Sequence, residues 1–169
     1  DVTDWLKESD KIKIDMLELY FNDSLAMFQP QESELREYYS WATEKNIVWQ
    51  NYNSNTRLTD KSIWGEHVLL SDTLYKRTWK ITDSKRNICG YDCRKAVWQV
   101  NDSTRIYAWY TDAITVSTGP ESFYGLPGAI LGLASEDGGV IYFAKKVELM
   151  ETQPEKLLPP KTKNKIYTP

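Results

Sequence analysis

The sequence predicts an all-β protein built on an antiparallel meander. Three observations carry this. Apolar and polar residues alternate with period two along much of the chain, the rhythm of strands with one buried face. Turn clusters such as Asn22-Asp23, Asn53-Ser54-Asn55, Asn101-Asp102-Ser103 and Asp137-Gly138-Gly139 recur at short spacing and delimit about ten strands. No segment shows the pattern of a long amphipathic helix, and short connections favour up-and-down order.

Taken in order, Thr3 to Asp10 can form one helical turn capped by Thr3 or Asp4. Lys11 to Met16 alternates and runs on through Leu17 to Phe21, with a phase slip near Met16-Leu17 that a bulge would absorb. Asn22-Asp23 turns the chain into a returning strand, Ser24 to Phe28. Residues 30–46 are polar and read as a loop or a short helix from Ser33 to Trp41. Asn46 to Tyr52, Arg57 to Trp64, Glu66 to Leu70 and Lys76 to Thr82 read as strands, the last turning at Asp83-Ser84-Lys85-Arg86. Ile88 to Val100 and Thr104 to Thr111 form the next pair. Ala129 to Ala134 and Val140 to Met150 form the last, joined by the Asp137-Gly138-Gly139 hairpin signal. From Gln153 the composition shifts to Pro and Lys, so residues 1–152 are expected as one domain and 153–169 as an extended or disordered tail. There are no internal repeats.

At 169 residues the chain is long enough to close a sizeable core. Its net charge of -3, with mixed signs, gives no basic footprint for nucleic acid. No apolar run approaches the roughly 20 residues of a membrane-spanning helix. The chain starts at Asp1 without a basic-then-apolar leader, which reads as either a cytosolic protein or one whose signal peptide has been removed. Seven Trp and eleven Tyr suit half-buried strand surfaces and also line glycan, peptide and lipid sites.

The densest signature is Ala108-Trp109-Tyr110-Thr111, then Gly119-Pro120, then Phe123-Tyr124-Gly125-Leu126-Pro127-Gly128-Ala129-Ile130. With Ile88, Gly90-Tyr91, Cys93 and Lys95-Ala96 upstream, it resembles the GLPGLI family of exported proteins from Bacteroidota-type bacteria. Asp112, where many relatives carry Pro, and Cys89, where they carry an aliphatic residue, depart from that pattern. The resemblance implies a removed signal peptide and a location in the periplasm, at the outer membrane or outside the cell. It also implies a protein partner such as a TonB-dependent outer-membrane receptor. That family in turn is similar to the bowl-shaped N-terminal domain of a bacterial peptide-N-glycosidase, which implies a strongly curved antiparallel meander sheet, a bowl or half-barrel; that enzyme's chemistry resides in its other domains.

Physically, Gly125-Leu126-Pro127-Gly128 reads as a type II turn with φ > 0 at Gly128, a fold-defining element together with Gly119 and Pro120. The sharper expectation is that Trp109, Tyr110, Phe123 and Tyr124 face the concave side and bind a ligand. Cys89 and Cys93 are the only cysteines. Fully extended they lie roughly 13 Å apart, beyond the about 4.4–6.8 Å a disulfide spans, so a bridge needs a turn at Gly90. Export favours that bridge; free thiols or, less readily, a metal are the alternatives. His67 is the sole histidine, and no nucleophile or metal motif surrounds it. Asp23-Ser24-Leu25 and Asp72-Thr73-Leu74 resemble Bacteroidota O-glycosylation sites at Ser24 and Thr73.

The expectation is therefore an exported non-enzymatic binding or accessory protein, without catalytic residues, metal or cofactor. Its ligand would be a lipid, peptide or glycan, or its partner an outer-membrane protein. A hydrolase acting on glycan or peptide is the first alternative, with His67 and Glu66 or Asp112 in a cleft. A structural surface-assembly protein is the second.

Overall fold

The computed structural model describes residues 16–30, 47–63, 66–150, 154–160 and 166–167. The expected helical turn at residues 3–10, the strand before Met16 and the segment 31–46 lie outside these. Among the described residues, eleven strands fall into two sheets. The first contains β1 (Leu17–Phe21), β2 (Leu25–Pro30), β3 (Ile47–Asn51), β4 (Thr56–Ile63), β5 (Glu66–Thr73) and β11 (Ile166–Tyr167), in that spatial order. The second contains β6 (Lys80–Ile88), β7 (Tyr91–Asn101), β8 (Thr104–Thr111), β9 (Ala129–Ser135) and β10 (Ile141–Phe143), also in sequence order. Neighbours pair antiparallel, except that β11 lies parallel to β5. The all-β meander is thus observed, divided over two sheets that are not closed into a barrel.

The turns explain the division into strands. Asn22 Oδ1 accepts from the backbone N–H of Ser24 and Leu25, closing the β1–β2 hairpin. Asp137 Oδ1 accepts from the Gly139 N–H and the Ser135 hydroxyl, closing β9–β10. The expected turn at Asp83-Ser84-Lys85-Arg86 is not one: these residues belong to β6, with a register irregularity between Ile81 and Lys85. The chain reverses instead at Cys89 (φ 54°) and Gly90 (φ 83°), a two-residue hairpin with both residues left-handed. β6 is a sheet edge, where charged side chains discourage pairing with another chain, so its polarity imitates a turn. The strand expected over Val140 to Met150 is also shorter, Ile141 to Phe143.

The second sheet buries Ala96, Ala108, Tyr110, Leu126, Ile130 and Leu133 in one cluster. Ile88, Cys93, Ile114, Ala129 and Leu131 form another, with Phe21 of β1 packed against it. Met27, Trp49 and Leu157 form a third on the first sheet. Leu157 lies within residues 153–169, the segment expected as an extended or disordered tail. It ends a 3-10 turn (Pro154–Leu157), is buried, and its carbonyl accepts from Trp49 Nε1 at 2.9 Å. A buried apolar side chain and a satisfied indole are reason enough for this segment to stay on the body.

Candidate functional site

The β8–β9 connection, residues 112–128, joins the two sheets. On one side it hydrogen-bonds to β9 and its approach, Ala129 N–H to Ile114 O and Ile130 N–H to Thr118 O. On the other it reaches the first sheet. Gln50 Nε2 donates to Glu121 O at 2.8 Å, and the Tyr52 and Thr118 hydroxyls are hydrogen-bonded at 2.8 Å. Gln50 and Thr118 are fully buried.

The signature run works as a joint here. Gly128 N–H bonds to Leu126 O at 2.8 Å, an i→i+2 turn centred on Pro127. This replaces the expected type II turn, since positive φ falls on Gly125 (104°) and not on Gly128. Gly128 is needed for space: a Cβ there would sit 1.9 Å from the Thr111 carbonyl oxygen.

A cleft of about 660 Å³ opens beside this connection. Four chain segments supply its walls: Asp23 from the β1–β2 turn, Tyr52 and Asn55 from the β3–β4 turn, Lys76 after β5, and Ser117 and Tyr124 from the connection. The Tyr52 and Tyr124 rings lie 5.5 Å apart, inclined by 41°. Tyr124 is held from both sides, because Trp79 Nε1 donates to its carbonyl and Ser117 Oγ accepts from the next N–H, that of Gly125. Burial pushes the Tyr52 hydroxyl up to about 12, against the lowering effect of its hydrogen bond to Thr118. Tyr52 is therefore neutral at physiological pH. Burial raises Tyr124 as well, opposed by the positive charge of Arg77.

A polar seam adjoins the cleft. Gln50, Arg57 and Asp72 face one another in register across β3, β4 and β5, and Arg57 pairs with Asp72 at 3.0 Å. Arg77 donates to Ser122 O and lies 4.2 Å from the Phe123 ring, 4.9 Å from Trp98 and 5.2 Å from Tyr75. Burial lowers the Arg77 guanidinium below its ordinary value, and the positive charge of Arg57 adds to this. Glu121 holds a left-handed backbone (φ 53°), and its carboxylate accepts from the Tyr142 hydroxyl at 2.6 Å.

The structure separates the four expected ligand-binding aromatics. Tyr124 lines the cleft. Phe123 lies under Arg77, and Tyr110 is buried in the core. Trp109 follows β8's alternation to the opposite face, against Phe143. Tyr52, Asn55 and Lys76 were not singled out in the sequence; their only signal was a position in or beside a turn. Cys89 and Cys93 are free. The Cys89 thiol is exposed and donates to Ala144 O, whereas Cys93 is buried two residues into β7, so the expected bridge is not formed. Glu66 and His67 lie in β5, and Asp112 follows β8 in the other sheet. Among the described residues no helix is long and apolar enough to cross a membrane.

Chemically, the cleft offers ring faces for the C–H faces of a sugar and a mixed set of donors and acceptors for its hydroxyls. Of its described lining residues only Asp23 is a carboxylate. Glycoside hydrolysis by a pair of carboxyl groups needs two.

The family described as "N-glycanase peptide, N-terminal domain" matches residues 7–168. Two solved structures of PNGF-II are similar in fold. The one in space group C2 shares 22% identity with a TM-score of 0.63, and the one in P21 shares 19% with a TM-score of 0.62. Each match covers 94% of this chain and 28% of the other, so the chain spans little more than a quarter of their length. No curated protein matches. These findings correct the GLPGLI assignment, and the receptor partner it implied loses its basis. Part of the resemblance rested on glycines and prolines that make a joint and a close approach, which is a statement about backbone. The non-enzymatic accessory reading is likewise overturned, because the matching family is described as an N-terminal domain of an N-glycanase.

Proposed function

The chain belongs to the N-glycanase peptide N-terminal domain family, and we propose that it works in a hydrolase that removes glycans from glycopeptides. The family match over residues 7–168 carries this reading. The Tyr52–Tyr124 cleft is where the chain engages the glycan. The rings stack on a sugar face, while Asp23, Asn55, Lys76 and Ser117 meet its hydroxyls. The bond-breaking groups come from polypeptide beyond this chain, in keeping with the share of PNGF-II that it covers. An exported location belongs to the same proposal, because N-linked glycans are carried on secreted proteins.

The test is a glycopeptide titration followed by residue-resolved NMR, with the deglycosylated peptide as control. The glycopeptide alone is expected to shift the signals of Tyr52, Ser117 and Gly125, and Tyr124→Ala to abolish that response. Equal shifts with the bare peptide would reject glycan recognition.

A further inference from the structure

We propose that the face of the second sheet centred on Trp109 is a second saccharide-contact site, selective for sugars that carry an anionic group such as a carboxylate. Only the ligand class rests on the glycan-cleaving reading; the site is separate from the Tyr52–Tyr124 cleft.

The register assembles it. Lys95 pairs with Trp109, Trp109 with Gly132, and Gly132 with Phe143, one row across β7, β8, β9 and β10. Directly paired residues project to the same face, so Lys95, Trp109 and Phe143 stand side by side, with Tyr107 two residues along β8. Gly132 leaves a gap in the row that Phe143 fills: a Cβ there would come within 2.7 Å of the Phe143 ring. The Trp109 and Phe143 rings lie 5.6 Å apart, inclined by 40°.

Two cations attend this aromatic floor. The Arg86 guanidinium carbon is 4.4 Å from the Phe143 ring centre and 5.6 Å from that of Trp109. Lys95 Nζ is 4.1 Å from the Tyr107 ring centre and 5.9 Å from that of Trp109. Trp109 thus has a positive charge from each of two neighbouring strands. The paired residues around the row are Lys80, Cys93, Val97, Ala134 and Ile141, none of them acidic, and Asp83 lies in the stretch of β6 where the β6–β7 register is broken. Glu136 is spent on Arg105, at 4.0 Å. The floor is partly open: Phe143 is 37% and the flanking Ile141 59% exposed, while Trp109 is half-buried against the cluster of Ile88, Cys93 and Leu131.

The occupant follows from this chemistry. Flat rings accept the C–H face of a pyranose, and a fork-shaped guanidinium beside an ammonium accepts a carboxylate or sulfate. A neutral sugar would leave both cations without a role in binding. A polyanion such as nucleic acid is disfavoured by the net charge of -3 on the whole chain, which repels long charged ligands and spares small ones.

The experiment titrates the isotope-labelled chain with sialyllactose and, separately, with lactose. The readout is the Trp109 indole N–H signal, assigned by Trp109→Phe. Sialyllactose is expected to shift it and lactose to leave it in place. Lys95→Gln and Arg86→Gln are each expected to weaken the response roughly two- to fivefold, the range of an exposed charge contact. Tyr124→Ala leaves the Trp109 response unchanged. An equal response to lactose, shifts confined to Tyr52 and Tyr124, or tighter competition by a single-stranded oligonucleotide would overturn the proposal. Failure of glycopeptide recognition at the cleft with an intact Trp109 response would reject the cleft assignment and keep this site.

Discussion

Replacing Tyr52 by Phe removes one oxygen and leaves the ring. At neutral pH the change deprives Thr118 Oγ1, on a fully buried residue, of its 2.8 Å partner. An orphaned buried hydroxyl costs about 1–2 kcal/mol. At alkaline pH the sign changes. The folded state raises the Tyr52 value from 10.0 to about 12, so the folded protein holds a proton that the unfolded chain has lost. Wild-type stability from this group is therefore fully present below pH 10 and falls as pH rises toward 12. Two pH units correspond to about 2.7 kcal/mol at most. The assay is urea unfolding of both proteins at pH 8 and at pH 11.5. Tyr52→Phe should be the less stable at pH 8, and the gap should close or invert at pH 11.5. An unchanged gap across that range would refute the buried, hydrogen-bonded account of Tyr52.

Other consequences are sharper in structure than in chemistry. Gly128→Ala drives a methyl into the Thr111 carbonyl and should cost about 3 kcal/mol or more, read as a lowered denaturation midpoint. Leu157→Ala should cost about 2–4 kcal/mol and shift the Trp49 indole N–H signal, because both report the docked 3-10 turn. Asp137 is held below its ordinary 3.8 by the Gly139 N–H and the Ser135 hydroxyl. Its contribution is present above 3.8 and lost as pH falls through the lower folded value, so Asp137→Asn should flatten the acid limb of the stability profile.

The strand rhythm was legible because half-buried strands alternate, and the β1–β2 and β9–β10 turns because Asn22 and Asp137 bond their own backbone. β6 was partly hidden, since an edge strand written in Asp, Ser, Lys and Arg has the composition of a loop. The division into two sheets was hidden too. It depends on where residues 112–128 lodge, and the bonds that lodge them join residues 66 and 71 positions apart. For the same reason Tyr124 could be singled out and its partner Tyr52 could not. The grouping of Trp109 with Tyr110 was avoidable from the sequence, because adjacent residues of one strand face opposite ways. The GLPG run was informative about the fold and silent about chemistry, since Pro127 and Gly128 serve a turn and a backbone approach.

We propose that this chain serves a glycan-cleaving hydrolase through the Tyr52–Tyr124 cleft. The most direct test is glycan release from an N-glycosylated peptide, followed by mass spectrometry, using the natural polypeptide that contains this chain. The account predicts a peptide lighter by its glycan, with Tyr124→Ala raising KM and sparing kcat. An intact glycopeptide under conditions where the polypeptide is folded would contradict the account, as would release that Tyr124→Ala leaves unaltered.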